Sequence, residues 1–226
     1  MTAYVGFTSS IKLSGTPTAM TAEPCTSLTS TTYRVTSATK RHLDPSAAMI
    51  VYDGGVAIAF ASVAVNCATG IITLSAPPAG AVTIDANYLP MLSMADVRGF
   101  EINIGGDLLD STVMDTTTTS RARIQGLLDV SGTVEGLDNL RTDLDSGAGT
   151  VIPFTDFQAG TYKLLTIALG SSGAYFAAFV KFADIKLGAT PEDLFKATLS
   201  WSLAGHPGVT TGSAANESQS WGFSTS

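Results

Sequence analysis

Cysteine, histidine and charge are all scarce in this 226-residue chain. Cys25 and Cys67 are its two cysteines, too few for a disulfide framework and without the paired spacing of a metal site; they read as ordinary semi-buried thiols. The two histidines, His42 in TKRHLDP and His206 in AGHPG, stand in turn-like surroundings, and no GxSxG, HExxH or CxxC accompanies them. Asp143 and Asp145 precede Ser146 and Gly147 but lack the spaced ligands and closing glutamate of a calcium loop. Gly105 and Gly106 follow a strand-like run without GxGxxG, GKS or GKT, so they read as a bulge or a close backbone approach. The residues therefore predict no enzyme, no metal site and no cofactor. No apolar run reaches the roughly 18 residues of a membrane span, AYFAAFV being halted by Lys181. No basic region leads into an apolar core at the start. The expectation is a protein made and assembled in the cytoplasm, with no membrane partner.

Charged residues make up 14% of the chain and mean hydropathy is +0.27, whereas ordinary soluble domains carry charge on about a quarter of their residues. So little charge cannot comfortably cover the exterior, and part of that exterior is expected to be buried against other subunits. The net charge of −7 argues against nucleic-acid binding, which needs a basic stripe to displace counterions from phosphates. The length suffices for one large β domain or two small ones.

What the chain does contain is alternation. In FEINI, Phe100, Ile102 and Ile104 fall on one face and Glu101 and Asn103 on the other, the period of a half-buried strand. After the polar run MDTTTTSRARIQG, LLDVSGTVEGL repeats the pattern, with Leu128, Val130 and Val134 opposite Asp129, Ser131, Thr133 and Glu135. Paired as a hairpin, the two strands would have one apolar side and one wet, acidic side.

Around this hairpin the chain reads as mostly strand. Residues 4–13 predict a first strand, and residues 16–32, rich in Thr, Ser and Ala, an extended arm or loop. Then TYRVT, AMIVYDGGVAIAF, SVAVNCATGIITLS and AVTIDANYLP, punctuated by DGG, ATG and PPAG, predict a β-meander over residues 31–90. In it Val56, Ile58 and Phe60 share a face, and Val82, Ile84 and Tyr88 oppose Thr83, Asp85 and Asn87. Leu137, Leu140 and Leu144 recur at helical spacing, which predicts one short helix over 138–145. TVIPFTDFQ and YKLLTIALG follow as strands. AYFAAFVKFADIKLG is apolar on both sides, Phe176, Val180 and Phe182 against Tyr175, Phe179 and Ile185, and is expected to lie centrally or at a subunit contact. TPEDL predicts a single helical turn, and KATLSWSLAG a final strand with Ala197, Leu199, Trp201 and Leu203 in register. The tail, residues 209–226, is expected to be loose until docked.

Taken in order, GTPTAMT, TYRVTSATKRHLDP, VYDGG, GIITL, IDANYLPM, GFEINIGGDLLDST, GLLDVSGTVEG and the strand from DLF to LAG resemble the major tail (tail tube) protein of long-tailed bacteriophages over residues 10–205. The most specific piece is LLDST, a polar loop, then GLLDVSGTVEG. The chain departs from the family pattern in the 117–123 loop, which has no Trp or Gly, and in the short helix. The resemblance implies an all-β tail-tube sandwich or barrel with one short flanking helix, a long hairpin and a β-rich insertion. Residues 1–30 and 91–226 would form the tube core with an N-terminal arm, and 31–90 the insertion.

It further implies hexameric rings stacked into a tube in the virion tail. The partners would be further copies of the chain, a tape measure protein, and tail terminator and tail tip proteins, with DNA passing through without specific binding. Glu101, Asn103, Asp129, Ser131, Thr133 and Glu135 become candidate lumen-lining residues, and Thr116, Thr117, Thr118, Thr119, Arg121 and Arg123 a candidate loop between rings. The alternative is a β-sandwich binding module for carbohydrate or protein, displaying Tyr88, Trp201 or Trp221.

Overall fold

The computed structural model describes residues 11–94, 97–110, 123–137, 160–168, 174–188, 196–204 and 221–225. Among them the protein is almost all β, as the alternation predicts. In chain order the strands are β1 (Ile11–Ser14), β2 (Thr18–Ser27), β3 (Thr32–Val35), β4 (Ile50–Asp53), β5 (Val56–Ala57), β6 (Val63–Asn66), β7 (Ile71–Leu74) and β8 (Val82–Tyr88). There follow β9 (Met91–Ser93), β10 (Val97–Asp110), β11 (Arg123–Leu137), β12 (Lys163–Ala168), β13 (Ala174–Gly188), β14 (Lys196–Leu203) and β15 (Trp221–Thr225). Two antiparallel sheets result. One runs β10-β11-β14-β13-β12-β1-β9, with β15 also paired to β13; the other runs β5-β4-β8-β2-β3-β7-β6.

The strand that is apolar on both sides holds these layers together. On β13, Phe176, Ala178 and Val180 are buried with Ile11, Leu165, Val130, Leu199 and Trp201. Its opposite side buries Ala177 and Phe179 among Val35, Leu43, Val51, Ile72 and Ile84 of the second sheet. The first cluster draws on strands of one sheet alone, which is possible because that sheet curls into a half-barrel around it. Each large side chain buried in this way contributes about 1.5–3 kcal/mol.

The second sheet turns a corner at β2. Met20 pairs with Ala86 and Glu23 with Ile84, so one extra residue intervenes on β2. Ala22 there takes a φ of 51°, and its N–H donates to Asp85 Oδ1 at 2.6 Å. Beyond this bulge β2 leaves β8 and pairs with β3, Cys25 opposite Val35. A bulge bends its strand and sharpens its twist, and here it lets both arms of the sheet bury their apolar rows in one cluster.

Three expectations need correction. Residues 16–32 are not an unstructured arm: they contain β2, which pairs with β8 and β3 and joins the sheet formed by the meander. Threonine-rich segments favour strands once a neighbour supplies the ladder, and here the neighbours come from later in the chain. The row of Val56, Ile58 and Phe60 does not form one strand, because β5 ends at Ala57 and residue 60 opens a short 3-10 turn. The tail is not wholly loose, since β15 pairs with β13, Phe223 opposite Phe176. The helix expected at 138–145, the strand TVIPFTDFQ and the turn at TPEDL lie outside the described residues.

Gly132 shows how closely this sheet is packed. It pairs with Ile102 on one side and Trp201 on the other. A Cβ on it would stand 2.5 Å from Trp201 Cζ2 and would overlap the Glu101 carbonyl oxygen. The indole therefore occupies the space that a side chain at 132 would take. Gly132→Ala should lower stability by about 1–3 kcal/mol through overpacking, and Phe179→Ala by about 3–5 kcal/mol through the cavity it leaves between the sheets. Urea unfolding checks both, and a wild-type midpoint in either variant would refute the packing described.

Candidate functional site

The hairpin forms with the register that alternation requires. Asn103 faces Ser131, Glu101 faces Thr133, and Gly99 faces Glu135; between them Phe100 faces Val134, Ile102 faces Gly132 and Ile104 faces Val130. Because side chains alternate across a strand, this pairing puts Glu101, Asn103, Asp129, Ser131, Thr133 and Glu135 on one face. Glu101, Asn103, Asp129 and Glu135 are exposed, Ser131 and Thr133 half-buried. Asn103 Nδ2 donates to Glu101 Oε1 at 3.2 Å. Val130 and Val134 on the other face are buried. The structure thus brings all six candidate residues together. Gly105, opposite Asp129, lies within the regular ladder. The register shift comes after Gly106, before the Leu108–Gln125 pair.

The wet face is larger than the hairpin. Across β14 it continues as Ser202 opposite Ser131, Ser200 opposite Thr133 and Thr198 opposite Glu135. Across β13 it gains Lys181 beside Ser202, Asp184 beside Ser200 and Lys186 beside Thr198. The arrangement is a block of hydroxyls at Ser131, Thr133, Thr198, Ser200 and Ser202 on the two inner strands, with Asp129 and Glu135 at its ends, Glu101 and Asn103 on β10 and the charged row of β13. Lys186 Nζ lies 3.5 Å from Asp184 Oδ2, both side chains exposed, so the pair is worth little. Sequence reading missed this lysine-bearing row. Lys181 joins it through pairing with Ser202, and a bulge between Phe182 and Asp184 reverses the parity of β13 and brings Asp184 and Lys186 to the same side. Strict alternation puts Ile185 on the side of Phe179, whereas its backbone falls in register with Leu199. Four carboxylates (Glu101, Asp129, Glu135, Asp184) against two lysines (Lys181, Lys186) leave this face a net charge of −2.

Two features of β10 set it apart. It lies at the end of its sheet, unpaired on its outer side among the described residues, and its apolar row is incompletely covered. Phe100 and Ile102 are half-buried, and Ile104 is 48% exposed. Of the loop assigned to ring contacts, Thr116, Thr117, Thr118, Thr119 and Arg121 lie outside the described residues. Arg123 is not in a loop but opens β11, opposite Asp110.

The remaining residues of chemical interest are structural. Cys25 and Cys67 form no disulfide; burial and the nearby Glu23 push the Cys25 thiol up to about 12, far from the reactive range. Among the described residues no group of three or more His, Cys, Asp or Glu side chains could hold a metal ion, and no helix is long and apolar enough to cross a membrane. His42 is buried, its Nδ1 2.8 Å from the Ala68 carbonyl oxygen. Burial lowers its pKa; the Ala68 hydrogen bond opposes this, and Lys12 and Arg41 add to the lowering.

A histidine held below its unfolded value of about 6.5 favours the fold in its neutral form. That contribution is complete above the unfolded value and is lost as pH falls through it towards the folded one. The melting temperature should therefore drop between pH 7.5 and 5.5, and His42→Asn should flatten the slope. An equal slope in wild type and variant, followed by thermal melts, would assign the pH dependence elsewhere.

No protein-family model and no curated protein matches the chain. Among solved structures, one chain from the tail of an empty gene transfer agent particle, refined with C6 symmetry, aligns at 14% identity and a TM-score of 0.42, covering 54% of this chain and 87% of that one. A chain from the virion of the native gene transfer agent particle aligns at 14% identity and a TM-score of 0.41, covering 53% and 88%.

Proposed function

We propose that this chain is the structural subunit of a phage tail tube, located in the virion tail, closing laterally into hexameric rings that stack around a tape measure protein and later pass DNA. The observation that carries the proposal is the long hairpin at the end of its sheet, with one face wet and, among the described residues, no strand paired to the outer side of β10. An exposed edge of this length is a template for pairing with another chain. A neighbour that continues the sheet past β10 satisfies its free N–H and C=O groups and covers Ile104. Closure of several copies then encloses the polar face. The order of motifs shared with tail tube proteins supplies the assignment to a phage tail, and with it the terminator and tip proteins as partners at the two ends.

The chemistry of the face suits a conduit. The excess carboxylates repel phosphates and the uncharged hydroxyls displace no counterions, so DNA gains little by stopping there. Lys181 and Lys186 soften this repulsion without reversing it. The meander, completed by β2, would decorate the outer wall, and the 116–122 segment would reach the next ring. A carbohydrate-binding module would need displayed aromatics, yet Trp201 is 1% exposed and the exposed large hydrophobics described are Leu28, Ile50, Val56 and Ile104. Among the described residues no displayed large aromatic favours that reading.

Glu101→Lys with Glu135→Lys turns the face from −2 to +2 and should leave ring formation intact while slowing DNA delivery in infection assays. Delivery at the wild-type rate would remove these residues from the lumen. Deleting residues 116–120 should leave a folded subunit, by circular dichroism, that forms rings but short or no tubes; a normal tube-length distribution would contradict the role given to this loop.

A further inference from the structure

Where the two sheets meet, a cleft of about 510 Å³ opens, lined on its polar side by Lys12, Arg41, His42, Thr166, Tyr88 and Tyr175. Its walls come from distant parts of the chain. Lys12 of β1 stands in register with Thr166 of β12, and Tyr175 comes from β13. Arg41 and His42 follow a short 3-10 turn at Ala38–Lys40. The basic groups are held in place. Arg41 Nε donates to the Val35 carbonyl at 3.2 Å. Its backbone is packed against Gly70, which has a φ of +68° and where any Cβ would collide with the Arg41 carbonyl. The His42 ring meets Tyr175 edge-on, centroids 5.7 Å apart.

Charge makes this cleft unusual for the molecule. The chain has 19 acidic residues against 12 Lys and Arg, yet among the described residues no carboxylate lines the cleft. Neither Lys12 nor Arg41 meets a carboxylate among the described residues, whereas nearby Lys40 is neutralised by Glu23. Partial burial, and after it the nearby Arg34, disfavour the charged form of Arg41, with Tyr175 opposing them. Like charges collected around a half-buried opening repel one another, and an anion entering it relieves that repulsion. Tyrosine and threonine hydroxyls stand by as neutral donors.

We propose that this cleft receives a carboxylate side chain, Asp or Glu, from a second copy of the chain. The inference rests on the assembly reading above and names one contact that such an assembly uses. A second copy is the fitting donor because this chain has acid to spare and little charge to waste on bulk solvent. The carboxylate would lie between the Lys12 ammonium and the Arg41 guanidinium, buried enough for the attraction to escape full screening.

Zero-length carbodiimide coupling of assembled protein, made from an equal mixture of isotopically light and heavy chains, tests the contact directly. The expected product is a mixed-isotope peptide pair joining Lys12 to an Asp or Glu of the other copy. Coupling between copies at other lysines, with Lys12 uncoupled or coupled only within its own chain, overturns the inference. In parallel, Lys12→Glu should raise the concentration needed for assembly about tenfold or more, with an unchanged circular dichroism spectrum, and Lys12→Arg should restore it. Tubes that form equally well from Lys12→Glu overturn this contact alone. Wild-type protein that never associates overturns the assembly reading together with it. Duplex DNA binding that Lys12→Glu abolishes, with assembly unaffected, gives the cleft to nucleic acid and overturns the proposal.

Discussion

The architecture depends on burying both faces of β13. A strand that is apolar on both sides cannot lie at the surface of a sandwich, so something must cover each side. The curl of its own sheet covers Phe176 and Val180; the second sheet covers Ala177 and Phe179. Partway along, the strand changes character. Beyond the bulge after Phe182 it exposes Asp184 and Lys186, and the same sheet surface that is dry under the second sheet becomes wet beside the hairpin. One strand thus joins a stabilising half and a displaying half.

That division explains why the polar face can be built from residues that contribute little to folding. Its hydroxyls and carboxylates stand on a backbone fixed from behind by Val130, Val134, Leu199 and Trp201, and Gly132 keeps the indole close to the ladder. Their identities are free to answer to whatever passes in front of them. The open side of β10 is the complementary feature. Among the described residues no strand pairs with the outer side of β10 and its apolar row is half-covered, and lateral closure would answer both.

Much of this was legible in the sequence. Alternation placed the hairpin, its two faces and the central position of β13, and DGG, ATG and PPAG marked turns of the meander, because both signals are local. What was missed is non-local. β2 looked like an arm since its partners β8 and β3 are supplied later in the chain. Lys181 escaped notice because its neighbour Ser202 comes from a later strand, and Lys186 because a bulge resets parity, which no periodicity announces. The cleft around Arg41 was invisible since its walls become neighbours only after both sheets have formed.

The most direct test of the account is a cryo-electron microscopy reconstruction of the purified, assembled chain that locates the carboxylates of Glu101 and Glu135. The account predicts a closed ring of subunits with these groups and the Ser131, Thr133 and Ser200 hydroxyls on the inner wall. A map with that face on the outside, or with subunits that enclose no channel, would contradict it.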